Sequence, residues 1–498
     1  MTTQCLDMLI VGAGISGIGV AYHYQNNFPN KSYQIIESRE ALGGTWDLFR
    51  YPGIRSDSDM YTFGYQFKPW TSNKAISPGE DILDYLHDTV REFGIDQHIH
   101  FGKRLVSANW DGDAALWHCG VRDMATGDTT TLTAKFLFAC TGYYDYDEGY
   151  QPTFPGRDAF QGPVIHPQHW PEDLDTAGKR VVIIGSGATA ITLAPTLAKR
   201  GAKVSLLQRS PTYVISRPEE DGLANRLRNW LPAKWTHGIV RWKNILMQMF
   251  LYQLSRRRPH VAKGLLLKGV RAQLGPDYDV SKHFKPSYNP WDQRLCLVPN
   301  GDFFKAIRKG GVTMVTDHID RFTAEGIKLR SGQQLEADII ITATGLKMSL
   351  MKGVSLSVNN RPVQLSELVN YKGVMASGLP NFALSMGYTN ASWTLKTDLI
   401  GKYVCQLIRY MDKKSYGSVC PVLPKEGLET MPIVDLSAGY IQRALDSLPK
   451  QGKEMPWRLH MNYLLDSWAL RGAKREGLKF ESNKQRSTPA EPASVASR

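Results

Sequence analysis

Two glycine-rich turns, each after an apolar strand and each opening a helix, predict an α/β chain built on two Rossmann-like dinucleotide-binding domains. The turns are Gly12-Ala13-Gly14-Ile15-Ser16-Gly17 and Gly185-Ser186-Gly187-Ala188-Thr189-Ala190. A third observation is that residues 217–299 switch to apolar positions at helical spacing, flanked by Arg and Lys, which predicts a helical insertion.

In the first unit, residues 7–14 (DMLIVGAG) read as a buried strand entering the turn, residues 15–27 as a helix and residues 33–37 as the next strand. Gly12 permits the tight turn, Gly14 lets the backbone approach a diphosphate, and Gly17 allows close helix–strand packing. The helix N-terminus offers free N–H groups and a positive dipole end to that diphosphate. Glu37 ends the second strand, where a carboxylate accepts hydrogen bonds from ribose hydroxyls.

The second unit repeats the pattern: strand Arg180–Ile184, turn 185–190, helix 191–200 and strand Lys203–Gln208. This last strand runs into Gln208-Arg209-Ser210 instead of an acid. A carboxylate would repel a ribose 2′-phosphate, whereas a guanidinium grips it bidentately. The first unit therefore suits a free 2′-hydroxyl, and the second, through Arg209 and Ser210, suits NADPH.

Composition narrows the alternatives. The chain has 498 residues, 42% apolar and 21% charged, enough for more than one domain. No run of 18 apolar residues is present, so no membrane-spanning helix is expected. The apolar start at residues 9–21 carries fixed-spacing glycines and no preceding basic residue, and reads as structure, not as a signal peptide. Six scattered cysteines, none in a C-x-x-C or C-x₄-C pair, fit reduced thiols in the cytoplasm and exclude a disulfide reductase with a local redox pair. Net charge is +13, much of it between Arg217 and Arg271, with no nucleic-acid-binding motif beside it. The insertion reads first as a covering domain with solvated basic faces, and second as a peripheral membrane or self-association surface.

The segment between the turns discriminates further. Phe160, Gly162, His166, Trp170 and Pro171 complete the pattern F-x-G-x-x-x-H-x-x-x-W-P. It resembles the fingerprint of type I Baeyer–Villiger flavin monooxygenases, and the likeness runs over nearly the whole chain. Gly43-Gly44-Thr45-Trp46 with Arg50-Tyr51-Pro52-Gly53 is similar to that family's FAD-contacting loop, and Ala343-Thr344-Gly345 to its turn back toward the FAD domain. The stretches RYPGIRSDSDMY, IHPQHWPEDLD and YNPWDQRLCLVPNGD look closest to the ethionamide-activating subgroup.

The resemblance implies FAD in the first unit and NADPH in the second. It implies an FAD-binding domain at 1–145 and 346–480, an NADP-binding domain at 150–216 and 300–345, an insertion at 217–299, and a tail at 481–498 whose composition predicts disorder. Ser16, Gly44, Thr45, Trp46, Asp47, Leu48, Asp57 and Val106 join the glycines and Glu37 as expected FAD contacts, and Arg55 joins the second turn as an NADP contact. Arg294, in Trp291-Asp292-Gln293-Arg294, matches the active-site arginine, and Asp57 the acid that pairs with it. A permanent cation there would stabilise an anionic flavin peroxide that converts a ketone to an ester or lactone with O₂. His166 and Trp170 are implied to couple the domains and not to move protons. Where many members carry Lys before the arginine, this chain has Gln293, so NADPH preference leans on Arg209 and Ser210. Two alternatives stay open: an N- or S-oxidising flavin monooxygenase, which shares every cofactor motif, and a flavin-binding sensor without turnover.

Overall fold

The computed structural model describes residues 5–482 except 435 and 474. The tail expected from residue 481 lies outside the described residues from 483 onward. Glu481 and Ser482 end the strand Leu478–Ser482, which pairs antiparallel with Tyr416–Pro421.

The strand Leu6–Val11 sits between Tyr33–Ile36 and Thr129–Ala139, parallel to both. A central parallel strand is covered on both faces, which explains why Leu9, Ile10 and Val11 are consecutive apolar residues and all buried. The helix Ile15–Asn27 follows directly, with Gly14 as its N-cap. The sheet has nine strands. It runs outward through the antiparallel strands Leu116–Asp123 and Lys103–Asp111, and takes in Ser355–Val358 and Phe382–Leu384 from the C-terminal half.

Between its two visits to that sheet, the chain builds a second one. Its five strands are all parallel, in the order Val312–Thr316, Lys203–Gln208, Arg180–Ile184, Ile339–Thr342 and Val164–Ile165. The helix beside it spans Ala188–Lys199, so it begins inside the expected six-residue turn. Only residues 185–187 turn; Ala188, Thr189 and Ala190 have nothing that breaks a helix, and the first helical N–H groups lie at the turn itself.

Each sheet has its own core. Ile10, Ile18, Tyr24, Phe138 and Tyr403 belong to the first, and Ile183, Leu193, Leu206, Phe303 and Ile341 to the second. Burying each such side chain is worth about 1.5–3 kcal/mol.

The insertion is helical as expected. It contains Gly222–Leu227, Ala233–Arg257, Pro259–Leu274 and Val280–His283. It is shorter than 217–299, because Cys296–Pro299 is a strand that pairs parallel with Val214–Arg217 and clasps its two ends together. Pro259 starts the third helix at a position where its missing N–H costs nothing. Arg241 anchors the long helix: it is buried and donates to the carbonyls of Tyr61 and Gly64 at 2.8 Å and of Thr62 at 3.3 Å. These carbonyls lie at the C-terminal end of the short helix Met60–Phe63, where a cation also meets the negative dipole end. Asn244 and Gln248 of the same helix donate to the buried Asp59 carboxylate at 2.9 and 2.8 Å. The insertion thus fixes the loop that carries Asp57.

Candidate functional site

One continuous cavity of about 1630 Å³ reaches from the first glycine turn to the second. Within each turn the glycines differ in what they meet. At Gly12, φ is +104° and an added Cβ would lie 2.6 Å from the Cys140 carbonyl oxygen; at Gly17 it would lie 1.9 Å from the Gly12 carbonyl oxygen. The protein's own packing therefore demands glycine there. Gly187 is the opposite case: φ is −77° and no atom lies within 4 Å of an added Cβ. Gly14 has only Gly44 backbone at 3.7 Å. Both line the cavity, so the space their missing side chains leave is open to a ligand. Free N–H groups of two helix N-termini face such a ligand.

The acid–base contrast between the units persists in three dimensions. Glu37 is buried at the cavity wall, accepts the Ala13 N–H at 2.8 Å and the Arg39 N–H at 3.0 Å, and is thereby held against the first turn. Arg209 is exposed on the wall at the second turn and has no side-chain partner among the described residues. Ser210 lies next to it, its carbonyl accepting the Ser186 hydroxyl at 3.1 Å. Arg330, not singled out from the sequence, lines the same end of the cavity. It comes from the turn after the strand Gly326–Leu329, more than a hundred residues from Arg209, so no local pattern announces it.

Arg294 lies on the wall of this cavity, on the segment that leads into Cys296–Pro299. Asp292 holds that segment, accepting the Asn289 N–H and an Arg256 N–H at 3.0 Å each, while Ser437 donates to its carbonyl. Trp291 adopts φ +70°, an unfavourable conformation for a bulky residue, kept by this surrounding network. The guanidinium donates to the Tyr143 hydroxyl at 3.4 Å. Asp57 faces it at 3.7 Å, an ion pair without a hydrogen bond. The Arg294 Nε is buried and unpartnered among the described residues. A guanidinium stays protonated at any working pH, and the surroundings of this one, Tyr143 first among them, raise its pKa further.

Tyr143 connects this cation to the first turn. Its ring stacks on Trp393 with centroids 4.9 Å apart, and the Trp393 indole N–H donates to the Ser16 hydroxyl at 2.8 Å. Neither aromatic was singled out from the sequence: one follows the strand Thr129–Ala139 and the other opens the helix Trp393–Lys414, and only the fold joins them. Arg55 donates to the Asp302 carboxylate, while its Nη2 is buried and unpartnered among the described residues. Tyr51, whose phenol burial pushes up to about 12, lines the same cavity from the loop before Arg55.

The expected site residues divide cleanly. Gly12, Gly14, Ser16, Glu37, Gly44, Thr45, Trp46, Arg55, Asp57, Gly185, Ser186, Gly187, Ala188, Thr189, Arg209, Ser210 and Arg294 line the one cavity. Gly17 and Ala190 lie beneath it as packing positions. Asp47 and Leu48 are buried behind the wall, and the Asp47 carboxylate is taken by Arg39 and Arg50. Val106 is off the wall too; its neighbours Arg104 and Leu105 line the cavity instead.

None of Phe160, Gly162, His166, Trp170 and Pro171 lines the cavity. His166 is buried, and its pKa is lowered chiefly by burial. Its Nδ1 accepts the Gln168 N–H at 3.2 Å, so Nε2 carries the proton and donates to the Gly345 carbonyl at 3.2 Å. The ring also fills the space beside Gly149, where an added Cβ would lie 2.0 Å from its Cε1. This neutral imidazole joins three stretches of chain, including both crossings between the two sheets. Gly162 is required because a Cβ there would meet the Asp338 carbonyl oxygen at 2.5 Å and the Phe160 ring at 2.7 Å.

Known proteins share this architecture. The family described as flavin-binding monooxygenase-like matches residues 74–388, and a NAD(P)-binding Rossmann-like domain matches residues 10–73. The chain is 52% identical over 481 residues to the FAD-containing monooxygenase EthA of Mycobacterium tuberculosis, covering 96% of this chain and 98% of that one. It is 49% identical over 471 residues to the probable FAD-binding monooxygenase AlmA of Acinetobacter baylyi, covering 94% of each. Among solved structures, a steroid monooxygenase bound to NADP superposes with a TM-score of 0.75 at 20% identity, over 96% of this chain and 100% of that one. An open cyclohexanone monooxygenase does so with a TM-score of 0.75 at 18% identity, over 96% and 100%. These two likenesses are of fold.

Proposed function

The chain belongs to the flavin-binding monooxygenase-like family, and we propose that it is an NADPH-dependent Baeyer–Villiger monooxygenase converting ketones to esters or lactones, with sulfides and thioamides as further substrates. The overall reaction takes a ketone, O₂, NADPH and a proton to an ester, NADP⁺ and water. The residues on the cavity wall fit both dinucleotides. FAD is assigned to the first turn, with Gly14 and Gly44 giving backbone access and Glu37 receiving the ribose. NADPH is assigned to the second turn, with Gly187 giving access and Arg209, Arg330 and Ser210 receiving the 2′-phosphate.

Bound FAD supplies the hydride acceptance and oxygen activation. The remaining work falls to the side chains. Arg294 places a fixed positive charge where negative charge grows on oxygen during the transfer, in a walled cavity where such an interaction is stronger than in water. Asp57 at 3.7 Å orients the guanidinium without a hydrogen bond that would divert it. Tyr143 and Trp393 set its height above the first turn and exclude water beside it. His166 couples the two crossings between the sheets, so the second unit can move against the first between reduction and oxygenation.

The observation that carries this reading is the Arg294 guanidinium: on the wall, permanently charged, and with a buried donor that no described residue satisfies. The test is NADPH-dependent O₂ uptake by the FAD-loaded protein with linear, cyclic and aryl ketones and an aryl sulfide. Ester or lactone products support it. Sulfoxide formation with no ester from any ketone would assign it instead to the S-oxidising class.

A further inference from the structure

Of the seventeen large apolar side chains exposed among the described residues, ten lie between residues 222 and 274. Five of them, Trp235, Ile239, Trp242, Leu246 and Phe250, follow one another at intervals of four, three, four and four, and so share one face of the helix Ala233–Arg257. They are between 43% and 68% exposed, whereas Val240, Arg241 and Ile245 on the other side are buried. The short helix Tyr463–Ala469 adjoins this face: the Tyr463 ring is 5.9 Å from that of Trp242, and Leu464 and Leu465 are exposed. A helix face turned to water is ordinarily polar, and an apolar area of this extent marks a surface that something covers.

The charge of the same segment says what. Residues 222–274 contain eleven Lys and Arg and no Asp or Glu. The protein itself engages Arg228, Arg241, Lys243, Arg256 and Lys263. Arg226, Lys234, Arg257, Arg258, Lys268 and Arg271 are exposed, with no side-chain partner among the described residues. Arg257 continues the apolar stripe at its C-terminal end. A second copy of this face would set cations against cations. No helix among the described residues is long and apolar enough to cross a membrane, so the arrangement suits lying on one.

We propose that the outer face of the helical insertion docks on an anionic lipid bilayer. Its indole and phenyl rings enter the interfacial region, and the flanking Lys and Arg meet lipid phosphates. The inner side of the same helices, through Gln248, Leu251, Leu254 and Leu266, lines the cavity, so docking sets that cavity at the lipid boundary.

The test is flotation of the full-length, FAD-loaded protein with phosphatidylcholine vesicles, with and without phosphatidylglycerol. Binding is expected on the anionic vesicles, roughly tenfold or more above the zwitterionic ones at low salt, and falling as salt is raised. A Trp235→Ser/Trp242→Ser/Phe250→Ser variant and an Arg257→Glu/Arg258→Glu/Lys268→Glu variant are each expected to lose that binding while FAD content and thermal unfolding stay as in wild type. Absence of wild-type binding to anionic vesicles would overturn the proposal. So would a serine variant that floats like wild type, or one whose main effect is to dissociate a dimer. Flotation reads binding and not turnover, so the outcome is independent of the monooxygenase reading.

Discussion

Gly187→Ala should separate what the second turn does for the fold from what it does for a ligand. The position has φ −77° and open space around an added Cβ, so the new methyl strains no backbone and touches no protein atom. Alanine is a poorer N-cap than glycine, but it also restricts the unfolded chain, and the two effects of about 0.5–1 kcal/mol oppose each other. Tm should therefore move by less than about 3 °C. The methyl would project into the cavity at the helix N-terminus, where a diphosphate takes its hydrogen bonds. Displacing one charge-assisted bond costs about 1.5–3 kcal/mol, which weakens binding about ten- to a hundredfold. The assay is NADP⁺ titration of the FAD-loaded protein by tryptophan fluorescence, beside a thermal melt. Gly185→Ala is the control with the opposite signature: φ is +136° and the Cβ would lie 2.3 Å from the Ala343 carbonyl oxygen, so stability falls first. Unchanged NADP⁺ affinity in Gly187→Ala, with an intact melt, would refute the assignment of this turn to the dinucleotide.

Arg209→Ala should raise KM for NADPH about tenfold or more, the weight of a charge-assisted phosphate contact, and leave KM for NADH nearly unchanged. Equal loss with both would show that Arg209 does not read the 2′-phosphate, and Arg330→Ala tested alike apportions the role between the two. His237 is buried and accepts the Trp70 N–H at 3.1 Å, and burial lowers its pKa to about 3. The unfolded chain binds that proton more readily, so this contribution to stability is full above about pH 6.5 and is lost as pH falls toward 3, the loss reaching about 2 kcal/mol at pH 5. Denaturant titrations at pH 7.5 and pH 5 should show the drop in wild type and a smaller one in His237→Gln; equal drops would contradict it. His166→Ala should leave NADPH binding within a few-fold of wild type but slow flavin reduction in stopped flow, whereas unchanged reduction would argue against a coupling role.

The glycine turns were legible because their signal is local: strand, turn and helix lie within a few dozen residues, and the helix Ile15–Asn27 begins and ends where its sequence indicates. Arg209 was legible for the same reason, since the end of a strand next to a glycine turn has a defined place. Asp47 shows the limit. It lies in the expected cofactor loop, yet Arg39 and Arg50 stand eight residues before it and three after, and they take its carboxylate. Two cations so close in sequence were a readable warning. Val106 lies off the wall although Arg104 and Leu105 line it: the strand's register shifts between Leu105 and Ser107, an irregularity that no sequence pattern marks. Tyr143, Trp393 and Arg330 were beyond local reasoning, because they come from three distant stretches of chain that only the fold brings to one cavity. The net basic charge of the insertion was plain from composition. Its exposed apolar stripe needed the fold, because helical spacing alone does not tell an outward face from a buried one.

The central claim is that Arg294 supplies the charge that makes oxygen transfer productive. Its most direct measurement is product partition in Arg294→Ala: NADPH consumed, H₂O₂ released and ester formed, measured together on FAD-loaded protein with a ketone that wild type converts. Ester formation should fall about a hundred- to a thousandfold, the usual loss when a preorganised stabiliser of anionic charge is removed, while NADPH oxidation persists and ends in H₂O₂. Ester formed at the wild-type rate would contradict the account.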